Sequence, residues 1–274
     1  MTLSYAQRLA AALDERGRLC VGIDPMPAVL SAWDLPHTVG GLERCARGIV
    51  AEIGTEVAVF KPQSAFFEAF GSRGVAVLEQ VLADIRAAGA LSILDVKRGD
   101  IGSSMAGYAA AFLGPDAPTQ ADAITVSPYL GVGSLQPAIE AAVAGSAGLY
   151  VLARTSNPEG AAIQLAEAGG VPVAQHVIDT IAELNATAAH AVGLVVGGTH
   201  EDLGCDLSAF NASILVPGIG AQGGTMSALS GLFGAALPHV LPTASRGVIG
   251  YGRDKVQELT QALLQQTRNW PRQK

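Results

Sequence analysis

Eight short runs rich in Val, Ile, Leu and Ala recur along the chain with helix-like stretches between them, and this rhythm constrains the fold more than any other feature. The runs are Leu19–Asp24, Glu56–Pro62, Leu91–Lys97, Ala123–Tyr129, Gly148–Thr155, Val192–Gly198, Ser213–Gly220 and His239–Ser245. Unbroken apolar runs of this length suit strands buried on both faces, which is the mark of a parallel sheet. Between them, Gly74–Ala88 and Val173–Ala189 carry apolar residues at helical spacing, and Asp254–Trp270 adds a polar face of Lys, Gln and Glu. Eight strand–helix units in 274 residues predict an α/β fold closed as a (β/α)8 TIM barrel, one domain over residues 1–274. A doubly wound open sheet is the alternative. No linker, low-complexity tract or charge run divides the chain.

Composition supports a large core, with 49% apolar and 15% charged residues. The net charge is −7 and no basic cluster occurs, which argues against a nucleic-acid partner, because backbone phosphates need grouped Lys and Arg. A small anionic substrate needs only a few local cations. The three cysteines, Cys20, Cys45 and Cys205, are odd in number and lack C-x-x-C spacing, so free thiols in a reducing cytoplasm are expected. Arg8, Asp14, Glu15 and Arg16 fall in an amphipathic pattern unlike a signal peptide. From Leu207 to Ser245 there is no Asp, Glu, Lys or Arg, but Pro217, Gly218, Gly220, Gly223, Gly224, Gly231 and Pro238 interrupt the stretch. Buried strands and loops are therefore expected there, not a membrane span.

A barrel collects its functional residues where strands end. Asp24 ends the first run and Lys61 lies at the end of the second. Asp95 and Lys97 end the third, Ser127 lies near the end of the fourth, Arg154 near the end of the fifth, and Arg246 follows the eighth. In Leu94-Asp95-Val96-Lys97-Arg98-Gly99-Asp100-Ile101, residues two apart on a strand share a face, so Asp95 and Lys97 should both point into the mouth. Asp100 sits just past the strand, before a helix expected to start near Ser103. A lysine among carboxylates stays an ammonium, a poor Schiff-base nucleophile but a well-placed proton donor. Lys61 would supply a second cation. The spacing fits either this catalytic use or a salt-bridge network that stabilises the rim.

The seventh run leads into Pro217-Gly218-Ile219-Gly220-Ala221-Gln222-Gly223-Gly224, which matches G-x-G-x-x-G. No acidic residue follows about twenty positions on, where a dinucleotide ribose would need one. Loops after the seventh and eighth strands of a barrel often make a phosphate site instead, and Arg246 would add a bidentate cation.

The sequence from Leu94 to Gly102 resembles the catalytic signature of the orotidine 5′-monophosphate decarboxylase family. Phe60-Lys61-Pro62-Gln63-Ser64-Ala65-Phe66-Phe67-Glu68 resembles the second-strand motif of its longer bacterial branch. Val21-Gly22-Ile23-Asp24-Pro25, Thr125 to Gly131, Arg154 to Pro158, Val216 to Gly224 and Ser245-Arg246 complete an ordered set from first strand to eighth. The resemblance implies a cofactor-free, metal-free conversion of OMP to UMP and carbon dioxide by a homodimer. Lys97 would protonate C6, Asp95 would lie against the substrate carboxylate, and Asp100 from the partner subunit would complete a Lys61, Asp95, Lys97, Asp100 network. Asp24 and Lys61 would hold ribose hydroxyls, and Ser156 the pyrimidine edge. Gln222 and Arg246, beside Gly220, would grip the phosphate, and the segment after Gln222 would close as a lid. Ser127 and Ser104 join the expected substrate contacts, Ser104 standing where the family often has Thr.

Three rivals share some of these features. A sugar-phosphate decarboxylase or aldolase on the same barrel would use magnesium, but Lys61 puts a cation at the second-strand position, and the five histidines show no metal spacing. A Schiff-base aldolase would want a lysine with a lowered pKa, and Lys97 among acids is the wrong setting. A non-catalytic nucleotide binder would have little use for both lysines and both aspartates.

Overall fold

The computed structural model describes residues 3–188, 190–221, 223–268 and 270. Eight parallel strands close into a barrel: β1 (Cys20–Ile23), β2 (Val59–Pro62), β3 (Leu91–Arg98), β4 (Ala123–Val126), β5 (Gly148–Arg154), β6 (Val192–Val196), β7 (Ile214–Ile219) and β8 (Val240–Ala244). Neighbours in sequence are neighbours in space, and β1 closes the ring against β8. A short hairpin, Glu167–Ala168 with Val171–Pro172, stands outside the barrel.

The interior is filled at its N-terminal end and left open at the other. Val59, Ile93, Tyr150, Leu215 and Leu241 pack inside the ring together with Tyr5 and Leu9 of the helix Tyr5–Arg16, which plugs the floor. That helix begins at Ser4, whose hydroxyl accepts the Gln7 amide while the Gln7 side chain accepts the Ser4 amide. The Tyr5 and Tyr150 hydroxyls lie 3.1 Å apart, and Tyr150 donates to Ser213 Oγ at 2.9 Å. Gly148 makes room for this floor, since a Cβ there would stand 2.4 Å from the Tyr5 ring. A second apolar layer, with Ile49, Leu78, Ile85 and Ile181, lies between the strands and the outer helices.

Two expectations are corrected by the structure. The fourth strand ends at Val126 and not at Tyr129; Pro128 has no amide to donate to the ladder, and Tyr129 is exposed. The sixth unit has no helix, because residues 197–213 run as an irregular loop. Leu203, Leu207 and Phe210 of that loop are buried against the outer core, so apolar cover is supplied without helical backbone. The helices expected at Gly74–Ala88, Val173–Ala189 and Asp254–Trp270 form over Ser72–Ala87, Val173–Asn185 and Val256–Thr267. Among the described residues no helix is long and apolar enough to cross a membrane.

Candidate active site

At the C-terminal ends of the strands the barrel opens into a cavity of about 460 Å³. Its charged lining is Asp24 after β1, Lys61 on β2, Asp95 and Lys97 on β3, and Arg246 after β8. A larger groove, of about 920 Å³, lies outside the barrel between the helices Val39–Ile53 and Ser72–Ala87, where Arg47 is already paired with Asp84 and Glu43. The convergence of five charged side chains on one cavity singles out the barrel mouth as the candidate site.

Asp95 is the centre of the site. It is 6% exposed, and both of its oxygens are fully used. Oδ1 accepts Lys97 Nζ at 2.6 Å and the Thr125 hydroxyl at 2.7 Å. Oδ2 accepts Lys61 Nζ and Gln63 Nε2, both at 2.8 Å. Burial opposes its charge, but the ammonium groups of Lys61 and then Lys97 outweigh it and hold the carboxyl well below the ordinary carboxylate range. Lys61 is equally buried; burial alone would pull its pKa down, yet Asp95 and then Asp24 push it above the ordinary lysine range. The site therefore keeps Asp95 ionised at neutral pH, with Lys61 Nζ on one of its oxygens and Lys97 Nζ on the other.

This arrangement is not built by plain strand alternation. Lys97 has φ 46°, in the left-handed region that non-glycine residues rarely occupy. The pairing of β3 with β4 loses register between Leu94 and Arg98. This kink turns the half-exposed Lys97 side chain back across Asp95 and lets its ammonium face the cavity.

On the opposite wall, the loop after β7 meets the helix Arg246–Ile249 after β8. Gly220 has φ +80°, and a side chain there would point at Gly247 Cα from 3.5 Å, so the two backbones approach closely. The amide of Gly220 donates to the Gly224 carbonyl and that of Gly224 to the Gly218 carbonyl, which holds the turn shut. Arg246 stands beside it and forms no ion pair with a described residue. Three buried atoms of residues that line the cavity, Asp24 Oδ1, Thr243 Oγ1 and Ser245 Oγ, have no hydrogen-bond partner among the described residues. Such groups are costly unless a ligand or water completes them.

The model of the orotidine 5′-phosphate decarboxylase / HUMPS family matches residues 17–262. The chain belongs to that family. It is 57% identical over 254 residues to an orotidine 5′-phosphate decarboxylase from Salinispora arenicola, covering 92% of this chain and 91% of the relative. It is 53% identical over 253 residues to the enzyme of that name from Streptomyces coelicolor, with 91% of each chain covered. A Streptomyces avermitilis crystal structure, provisionally described as the same decarboxylase, superposes with a TM-score of 0.91 at 49% identity, over 98% of this chain and 96% of that one.

The fold brings together Asp24, Lys61, Asp95, Lys97, Ser156 and Arg246, all of which line the cavity. Four other expected residues do not line it within this chain. Asp100 is half-buried, and its carboxylate accepts the Ile101 amide at 2.8 Å. Ser104 is exposed on the first turn of the helix Gly102–Phe112. Ser127 lies beyond the end of β4, with its amide bonded to the Arg98 carbonyl at 2.8 Å. Gly220 shapes the turn behind the cavity wall. Gln222 lies outside the described residues. Arg154 ends β5 as expected but serves the scaffold: it is buried and donates to the Leu203 and Thr155 carbonyls and to Gln164, tying down the loop after β6.

Sequence reasoning passed over Gln63 and Thr125, the two neutral partners of Asp95. A signal for each existed. Gln63 is two positions past Lys61, and Thr125 is the last inward position of β4 once that strand is ended at Val126. Thr155 and Asn157 also line the cavity, with the Thr155 amide and hydroxyl both bonded to Gln164.

Proposed function

We infer that the chain is an orotidine 5′-monophosphate decarboxylase, a carboxy-lyase that converts OMP to UMP and carbon dioxide in the last step of UMP biosynthesis. The observation that carries this reading is the buried, charged Asp95 held between Lys61 and Lys97 at the mouth of the barrel. In the reaction the bond from C6 to the carboxylate breaks heterolytically, carbon dioxide leaves, and the electron pair stays on C6. Lys97 Nζ then gives C6 a proton and is recharged from water. No ring position can delocalise that pair, so the barrier must be lowered by charge already in place. The Lys97 ammonium stabilises the developing carbanion, and Asp95 repels a substrate carboxylate until that carboxylate has gone (a ground-state effect whose weight is debated). Asp24, with its unfilled oxygen, suits a ribose hydroxyl, Lys61 a second one, and Ser156 the pyrimidine edge. Arg246 and the turn at Gly220 suit the phosphate, with Gln222 in the same role. Phosphate binding on the far wall supplies energy that closure of the following segment as a lid can spend on the reacting bond.

The decisive experiment is a chelator-treated assay of purified protein with OMP, following loss of substrate absorbance and identifying UMP by chromatography. Rapid conversion is expected. UMP binding without conversion would replace this reading by a non-catalytic binder; turnover of a sugar phosphate only after magnesium is added would replace it by the aldolase-type rival. Arg246→Ala should raise KM for OMP by roughly 100-fold or more while lowering kcat less, as loss of a charge-assisted phosphate contact requires. An unchanged KM would put the phosphate elsewhere.

The working unit of this reading is a cytoplasmic homodimer in which the partner's copies of Asp100 and Ser104 reach the cavity. It is supported by the position of Asp100, which meets neither lysine within its own chain, and by exposed Ile101, Tyr129 and Leu130 on the loops after β3 and β4. The cysteines are thiols, which suits a reducing compartment. Lys97→Ala and Asp100→Ala, each inactive alone, should regain activity when mixed and allowed to exchange subunits, because one of the two hybrid sites is then intact. No recovery in a demonstrated heterodimer would return Asp100 to its own chain's site.

A further inference from the structure

Thr125 is 1% exposed on the inner face of β4, and its hydroxyl is a junction between two parts of the site. It donates to Asp95 Oδ1 at 2.7 Å and accepts the backbone amide of Lys97 at 3.0 Å. Asp95 Oδ1 is the same oxygen that receives Lys97 Nζ at 2.6 Å. One hydroxyl thus touches both the backbone of Lys97 and the carboxylate that holds its ammonium. The single hydroxyl proton is spent on Asp95, so the oxygen faces Lys97 with its lone pairs.

The Lys97 amide needs that acceptor. Its φ of 46° lies where side chains persist only if the surroundings hold them, and the β3–β4 register is broken at this point. The amide is part-buried and loses stability without a partner, and Thr125 supplies one through its side chain where the ladder does not. Moreover, when Lys97 has given up its proton, Thr125 remains the charge-stabilising donor on Asp95 Oδ1, while Lys61 and Gln63 keep Oδ2.

We propose that Thr125 is a positioning residue for the proton donor: its hydroxyl holds the backbone kink that aims the Lys97 ammonium, and it steadies Asp95 as that ammonium is discharged. The proposal rests on the decarboxylase reading above. A hydroxyl is required, so Thr125→Ser retains the function, whereas Thr125→Val keeps the shape and Thr125→Ala the space without either bond.

The test compares kcat and KM for OMP, the dissociation constant for UMP and the melting temperature of the wild type and the three variants. Thr125→Val and Thr125→Ala should lower kcat by about 10- to 100-fold, the scale of a lost hydrogen bond to a charged group. KM and UMP affinity should be unchanged, and Thr125→Ser should restore most of kcat. Wild-type kcat in Thr125→Val or Thr125→Ala would overturn the proposal. A Thr125→Ser variant as slow as Thr125→Ala would also overturn it, since packing and not the hydroxyl would then matter. A rise in KM and in the UMP dissociation constant that parallels the loss of kcat would do the same, as general damage to the pocket. If Thr125→Val does not fold, the Ser and Ala variants decide the matter. Absence of OMP turnover in the wild type would be a failure of the decarboxylase reading; turnover indifferent to Thr125 sinks the positioning role alone.

Discussion

Lys97→Ala is expected to lower kcat by roughly four orders of magnitude or more, because in the proposed mechanism one substitution removes both the proton donor and the cation nearest the developing carbanion. UMP should still bind with nearly unchanged affinity, since the residues proposed to hold its phosphate and ribose, Arg246, Asp24 and Lys61, lie on or after other strands. The fold should survive. The Lys97 side chain is 47% exposed, and after its loss Asp95 keeps Lys61, Gln63 and Thr125 as donors. Single-turnover assays with product chromatography, together with calorimetric titration of UMP, separate the two effects. Activity within tenfold of wild type would remove Lys97 as the proton donor; a matching loss of UMP affinity would show that it serves binding more than chemistry.

Asp95→Asn should be nearly as damaging to turnover, by about three orders of magnitude, and unlike Lys97→Ala it should also destabilise the protein. The amide cannot take donors on both sides as the carboxylate does, since its NH2 would face Lys61 or Lys97. Lys61, 7% exposed, then loses its nearest counter-charge, and breaking a buried pair from one side typically costs about 3 kcal/mol or more. The pH dependence follows from the sign of the shift. The Asp95 pKa is lowered by folding, so its contribution is present above the ordinary carboxylate value of 3.8 and is lost as pH falls from there toward the lower folded value. Denaturant midpoints of wild type and variant should therefore differ by a constant amount from pH 7 to pH 5 and begin to converge only below about pH 4. Convergence already between pH 7 and pH 5 would show that the carboxyl is not held low by the two lysines.

Much of this protein was legible in its sequence because periodicity and strand-end chemistry are local properties. Apolar runs of strand length, spaced by helical segments, determine that a parallel sheet must form and be covered on its outer face. Charged residues in a chain with so few of them could be placed at the rim because the core tolerates no unpaired charge. By these two facts the sequence alone assigns Asp24, Lys61, Asp95, Lys97 and Arg246 to one mouth. The missing sixth helix was not legible, since the loop from Gly197 to Ser213 buries Leu203, Leu207 and Phe210 with no helical period to announce it. The floor was hidden as well: a helix at the start of the chain meets Tyr150 only when the ring closes.

What tertiary structure alone decided is how the charges meet. Strand alternation placed Asp95 and Lys97 on one face, but their contact depends on a left-handed backbone at Lys97 and on a threonine from the neighbouring strand that accepts its amide. The identity of each of Asp95's four donors likewise depends on how β2, β3 and β4 lie side by side. Sequence determines which groups must stay charged and near the rim, because burial energies act residue by residue. Which oxygen faces which proton is fixed by distances of a few ångströms between strands far apart in the chain, and those distances exist only once the barrel has closed.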